Sequence, residues 1–251
     1  MSVVQLLAPA NDNKPIATLV NYAIHPEVLG NSIGILSPDL VGPLCDHLEK
    51  NAGGVALFLN GAQGGMITAD NRRLHEPPTD PARAVWKDDR TWEECQRIGH
   101  LMAEEALRLL KDAAPQQDPA LSCQASDVRL PVESQPLWNV IQHSPHKYPH
   151  DPAARTITTR INLVTVGDAQ ILTLPGEALP NIGFYLKRKM KGQHNLLFGL
   201  TNDALGYILT EVDYNSFPRY AYISRTSLGE KTGQILIDHS LKLVEQSQGP
   251  H

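Results

Sequence analysis

A chain of 251 residues, 41% hydrophobic and 20% charged, carries enough apolar material for a full core, as one large domain or two small ones. Its net charge of -5 and pI near 6.0 leave no basic stripe to neutralise phosphates, which excludes a nucleic-acid binder. Cys45, Cys95 and Cys123 are too few and too scattered for a disulfide framework or a thiolate zinc site.

Two β-branched, mostly apolar runs, VVQLL and IATLVNYAI, flank the polar turn ANDNKP and predict a hairpin. SPDLVGPLCDHLEKNAGG opens with Ser37 as a cap, spaces Leu40, Val41, Leu44 and Leu48 helically, and stops at Gly53 and Gly54. The short apolar run VALFLNG predicts a strand buried on both faces, ending in a turn at Asn60 and Gly61. Strand, helix, strand implies an α/β fold of layered mixed β-sheets flanked by helices.

From Thr68 to Asp89 the chain is rich in Pro, Arg and Asp without apolar period, and a long surface loop is expected. TWEECQRIGHLMAEEALRLLKDA predicts an amphipathic helix with Trp92, Cys95, Ile98, Met102, Ala106 and Leu109 near one stripe. LSCQASDVRL predicts a strand, followed by a polar, proline-bearing excursion that holds His143, His146 and His150. TRINLVTVGDAQILTLPGE predicts two strands around a Gly167-Asp168 turn. A helix from Ala178 to Lys191, the strand NLLFGL, a polar loop and a terminal helix within TSLGEKTGQILIDHSLKLVEQ complete the chain.

No run of about 18 apolar residues predicts a membrane span. The amino terminus, MSVVQLLAPANDNKP, lacks the charged start and long apolar stretch of a secretory signal, so the sequence as written suggests a cytoplasmic protein.

Three separated segments each end an apolar run with a residue able to bind a metal: NYAIHP with His25, LTLPGE with Glu177, and GLTNDALGYILT with Tyr207. Pro26 restricts His25 to an extended conformation and points its imidazole off the strand end. A histidine there is either a ligand or a core residue bonded to backbone. Glu177, after the Pro175-Gly176 turn, is either a ligand or a carboxylate favoured at a helix amino terminus. Tyr207 taken alone suits a half-buried strand. Asp203 and Asp213 flank it and suit loop caps, carboxylates behind a site, or a general base. The histidines of HSPHKYPH lie in polar, proline-rich sequence where opportunistic metal binding is the commoner outcome.

Taken in order, these blocks resemble the neutral ceramidase family of zinc amidases over nearly the whole chain. The resemblance is carried by NYAIHP, by Ser37 and Asp39 in ILSPDLVG, by the glycine loop of VALFLNGAQGG, by LTLPGE, and by GLTNDALGYILTEVDYNSFPRY with Tyr207, Tyr214 and Tyr220. It implies one Zn2+ held by two histidines, a glutamate and a tyrosine, of which His25, Glu177 and Tyr207 correspond to three. It also implies an Arg-Tyr pair that stabilises the developing oxyanion, here Arg219 and Tyr220, so that Tyr220 is the expected catalytic residue. The implied reaction is zinc-dependent hydrolysis of a linear amide in a lipid-like N-acyl substrate, such as N-acylsphingosine.

The chain departs from the family in three places. The first metal histidine lies well upstream of the HP block in the family and has no counterpart in Met1 to Ile24. The glycine loop runs Gly64, Gly65, Met66, Ile67, without the acid and serine of ceramide-cleaving members, and Thr68 lies one residue further on. The sequence ends soon after its last predicted helix, leaving no room within it for the additional carboxy-terminal β domain expected of longer members. The expectation is a single domain, 1-251, matching the later part of a ceramidase catalytic domain, truncated or split, that works with a missing amino-terminal segment or as a homo-oligomer. A non-catalytic family remnant, or a hydrolase of esters or other amides, are the alternatives.

Overall fold

The computed structural model describes residues 1–31, 34–66, 72–74 and 86–249, with the side chains of 72–74, 86–88 and Arg219 outside that description. The described chain divides into two compact units, Met1–Leu59 with Ile67–Ala114, and Asn60–Met66 with Pro115–His251. It is a mixed α/β fold of several sheets flanked by helices.

In the first unit, β1 (Ser2–Ala8) and β2 (Lys14–Tyr22) form the expected antiparallel hairpin. Asp12 and Asn13 take the left-handed conformation at its turn, which short polar side chains tolerate. Helix α1 (Val41–Ala52) starts later than its sequence pattern suggests, and Ser37 does not cap it. The Ser37 hydroxyl accepts instead from the Asp39 amide at 3.1 Å, and Asp39 turns the chain with a φ of 50°. Gly53 and Gly54, at φ 75° and 72°, end the helix as expected.

Strand β3 (Val55–Asn60) completes a sheet in the order β1-β2-β3. It is not buried on both faces as its apolar run suggests. Ala56 and Phe58 join a core with Val20, Leu44, Leu48, Ile98 and Met102, while Val55 and Leu57 on the opposite face are exposed. The paired strands β4 (Arg72–Leu74) and β5 (Trp86–Asp88) lie within the segment expected to be a long loop. Helix α2 (Trp92–Lys111) is capped by the Thr91 side chain, which accepts from the Glu94 amide at 3.2 Å. Cys95, Ile98, Met102 and Ala106 are buried along its predicted stripe, whereas Trp92 at the first turn is exposed.

The second unit is built on a sheet ordered β11-β9-β8-β6. Its long pair is β6 (Leu121–Pro131) with β8 (Thr156–Val166); the two-residue β7 (His150–Asp151) pairs with the start of β8. Between β6 and β7 runs α3 (Gln135–His143), a helix where the sequence suggested only an irregular excursion. The turn at Gly167 leads β8 into β9 (Ala169–Thr173), buried throughout. Then come β10 (Glu177–Ala178), α4 (Pro180–Lys189), and β11 (His194–Phe198), which runs parallel to β9 because the helix carries the chain across. Strand β12 (Tyr207–Ile208), the short α5 (Ala221–Arg225) and α6 (Thr232–Gln246) follow, with α6 packed on β6 and β8 and against α4. Leu130, Ile157, Ile161, Leu172, Ile182, Leu186 and Leu236 fill the space between this sheet and its helices.

Candidate metal centre

Glu177 and Tyr207 are brought together directly. Strands β10 and β12 run parallel with Glu177 opposite Tyr207 and Ala178 opposite Ile208. The Glu177 amide donates to the Gly206 carbonyl at 2.9 Å, and the Leu179 amide to that of Ile208 at 3.0 Å. Facing residues of paired strands project to the same side, so the carboxylate and the phenol share one face. Both residues are half-buried.

The strands meet because glycines let them. A Cβ on Gly176 would lie 2.5 Å from the Gly206 carbonyl oxygen, and one on Gly206, where φ is 82°, would overlap the Thr226 carbonyl. The turn before Glu177 is locked by its neighbours: the amides of Leu200, Thr201 and Leu205 donate to the carbonyls of Gly176, Leu174 and Pro175 at 3.1, 3.1 and 2.9 Å. On the far side, the Tyr207 amide reaches the Thr226 carbonyl at 3.1 Å.

The glycine loop lies against the same strand. Within the second unit the Gly64 amide donates to the Ala178 carbonyl at 2.9 Å, and a Cβ on Gly64 would strike the Glu177 carbonyl oxygen. Beside it Gln63, 2% exposed, keeps its Oε1 without a hydrogen-bond partner among the described residues, as does Asn60 Oδ1 at the loop's start. Buried amide oxygens left unpaired cost about 1–3 kcal/mol each, so they mark a polar locality. Ile67 and Thr68 lie outside the described residues.

Tyr220 ends the turn Pro218–Tyr220, half-buried, with the Phe217 ring edge-on at 5.6 Å. Two residues on, Tyr222 sets its ring against that of Tyr207, centroids 6.0 Å apart at 70°. Sequence reasoning passed over Tyr222; the Tyr-x-Tyr spacing after Arg219 was the available signal. Both flanking carboxylates have side-chain partners. Asp203 accepts a short hydrogen bond from the Thr159 hydroxyl, and Asp213 Oδ2 accepts from Asn181 Nδ2 at 2.8 Å and Thr210 Oγ1 at 2.6 Å.

His25 belongs to the first unit, half-buried in the extended segment after β2. Asp39 fixes the turn that follows: its carboxylate accepts from the amides of Val28 at 3.0 Å, Leu29 at 2.9 Å and Leu40 at 2.8 Å. In the second unit, His143 and His150 each engage a nearby carbonyl, of Asn139 at 2.9 Å and Tyr148 at 2.8 Å. Among the described residues no three His, Cys, Asp or Glu side chains group as a metal site. The pair on β10 and β12 is of another composition, one carboxylate and one phenol, both oxygen donors that zinc accepts when deprotonated. Two oxygen donors on a shared face fit a cation better than an apolar ligand.

No family model and no curated protein matches the chain. Among solved structures it is similar to the neutral ceramidase from Pseudomonas aeruginosa, with a TM-score of 0.70 at 16% identity over 99% of this chain and 47% of that one. It is similar also to a ceramidase complexed with C2, with a TM-score of 0.69 at 17% identity over 99% of this chain and 48% of that one. The chain thus has the fold of about half of a ceramidase. Among its described residues no helix is long and apolar enough to cross a membrane.

Proposed function

We propose that the chain is a zinc-dependent amidohydrolase acting on a lipid-like N-acyl substrate of the ceramide type. The observation that carries this reading is the register of β10 on β12, which pairs Glu177 with Tyr207 in a fold shared with ceramidases. Glu177, Tyr207 and His25 are the proposed ligands. When bound, zinc lowers the pKa of a water to about 7 and polarises the scissile carbonyl. The chain's own residues do the rest. The Glu177 carboxylate and the Tyr207 phenolate would hold the ion and offset its charge, and the Tyr222 ring packs edge-on against that of Tyr207. Tyr220 donates its phenolic proton as a hydrogen bond to the oxygen on which charge develops.

A second reading is favoured by a specific pair of observations: the chain spans 47% of the ceramidase it is similar to, and the β1-β2-β3 sheet leaves Leu6, Val55 and Leu57 exposed. On that reading a further polypeptide segment, in the same or another chain, covers this sheet and completes the ligand set. One experiment separates the two. Metal analysis of the purified chain, with Glu177→Gln and Tyr207→Phe beside it, gives about one zinc per chain lost in both variants if the chain is competent alone. Release of fatty acid from N-acylsphingosine should fall with the zinc. Zinc-free protein that acquires metal and activity only when the rest of a ceramidase fold is supplied establishes the second reading. Zinc retained unchanged by both variants overturns the ligand assignment.

A further inference from the structure

Away from Glu177 and Tyr207, the first unit carries a pair of imidazoles that the proposed chemistry does not use. Helices α1 and α2 pack along each other, and at their contact the rings of His47 and His100 stand with centroids 4.9 Å apart and planes inclined by 44°. Their approach is fixed by the core beneath. A Cβ on Gly99 would lie 2.6 Å from the Leu40 carbonyl and 2.9 Å from the Leu44 amide, so the helices touch backbone to backbone beside His100. Leu44 and Leu48 on α1, and Cys95, Ile98 and Met102 on α2, are buried below. The imidazoles sit at the outer edge of this seam, His47 half-buried and His100 exposed. Neither ring has a hydrogen bond or ion pair among the described residues, its own helix's carbonyls included.

We propose that His47 and His100 form a two-imidazole clip for a late first-row divalent cation such as Zn2+, Ni2+ or Cu2+. The spacing matches the chemistry. A nitrogen-to-metal bond of about 2.0–2.1 Å puts each ring centre about 3.2 Å from the ion, and a tetrahedral angle then sets the two centres about 5 Å apart. Imidazole nitrogen prefers these cations over Mg2+ or Ca2+, which take oxygen. No third His, Cys, Asp or Glu joins the pair among the described residues, so water fills the other positions. Such a site has open coordination and exchanges its ion readily. Because the two donors come from different helices, the ion ties α1 to α2 and binds the folded unit in preference to the unfolded chain.

The test is a titration of the full chain with Zn2+, and separately with Ni2+, followed by calorimetry and by thermal unfolding. At about tenfold excess over its Kd the ion should raise Tm by roughly 3–6 °C. His47→Gln and His100→Gln should each remove one binding event and that rise, while Tm without metal stays near the parent's. His143→Gln, in the exposed HSPHKYPH segment, should leave the event and the rise intact, while Glu177→Gln should remove only the separate event of the proposed ceramidase-like site, so that failure here is distinguishable from failure of that reading. If either Gln variant falls in stability without metal, histidine proton NMR decides: the ring signals of both residues should shift together with added Zn2+, in Glu177→Gln as in the parent. Full retention of the event and of the Tm rise in both Gln variants, or unmoved signals, overturns the proposal.

Discussion

At the scale of single residues, Asp39 shows how a side chain can shape a site without joining it. Its carboxylate takes the amides of Val28, Leu29 and Leu40, and these bonds set the course of the chain just after His25. Its other neighbour is Cys95, fully buried on α2. Burial, and after it the Asp39 carboxylate, pushes the Cys95 thiol up from 9.0 to about 12. The folded protein therefore keeps a proton that the unfolded chain surrenders. Below pH 9 the thiol is protonated in both states and its contribution to stability is fully present; it is lost as pH rises from 9 through about 12. Urea midpoints measured across that window should decline, and less steeply in Cys95→Ala than in the parent. A variant slope equal to the parent's would remove Cys95 from the account. The neutral thiol should also be inert: at pH 8 a thiol reagent should label the exposed Cys123 at once and Cys95 only after unfolding.

At the scale of elements, what the sequence revealed depended on how local the cause was. The β8-β9 hairpin was legible because Gly167-Asp168 sits between two alternating runs, and its turn and strands are one contiguous signal. Helix α3 was hidden by the prolines in and around it, although Pro136 in the first turn is a helix-starting signal and the Ser134 side chain accepts from the Leu137 amide at 3.4 Å. Ser37 misled in the other direction, since the Asp39 turn competes for its hydroxyl. The pairing of Glu177 with Tyr207 had no local signal at all. Parallel strands need a long connection, and only the order of motifs linked the two residues. The β10-β12 pair holds just two residues a side, so it depends on the glycines around it. Gly64→Ala should push the loop off the Glu177 carbonyl at a cost of about 1–3 kcal/mol. A lowered urea midpoint with faster exchange of the Glu177 and Leu179 amides is expected, and an unchanged midpoint would mean that the loop yields freely.

At the scale of the whole molecule, each unit has its own core, and the two differ in how completely their sheets are covered. In the second unit β9 is buried along its entire length, as a strand between two others and under helices should be. In the first, α1 and α2 cover one face of β1-β2-β3, and the other shows Leu6, Val55 and Leu57 at 43%, 56% and 46% exposure. Continuous apolar β3 was therefore misleading about burial but informative about chemistry: the run VALFL is apolar on both faces whether or not both are covered. A contiguous apolar sheet face in water favours association. The isolated chain should self-associate as its concentration rises, and Leu57→Lys, which sets a charge on the edge strand of that face, should shift it towards the monomer in sedimentation velocity. The substitution lies on the side away from Ala56 and Phe58, so the free energy of unfolding at low protein concentration should stay within about 0.5 kcal/mol of the parent's. A parent that remains monomeric throughout, or a Leu57→Lys protein that associates as strongly, would show that this face is content with solvent.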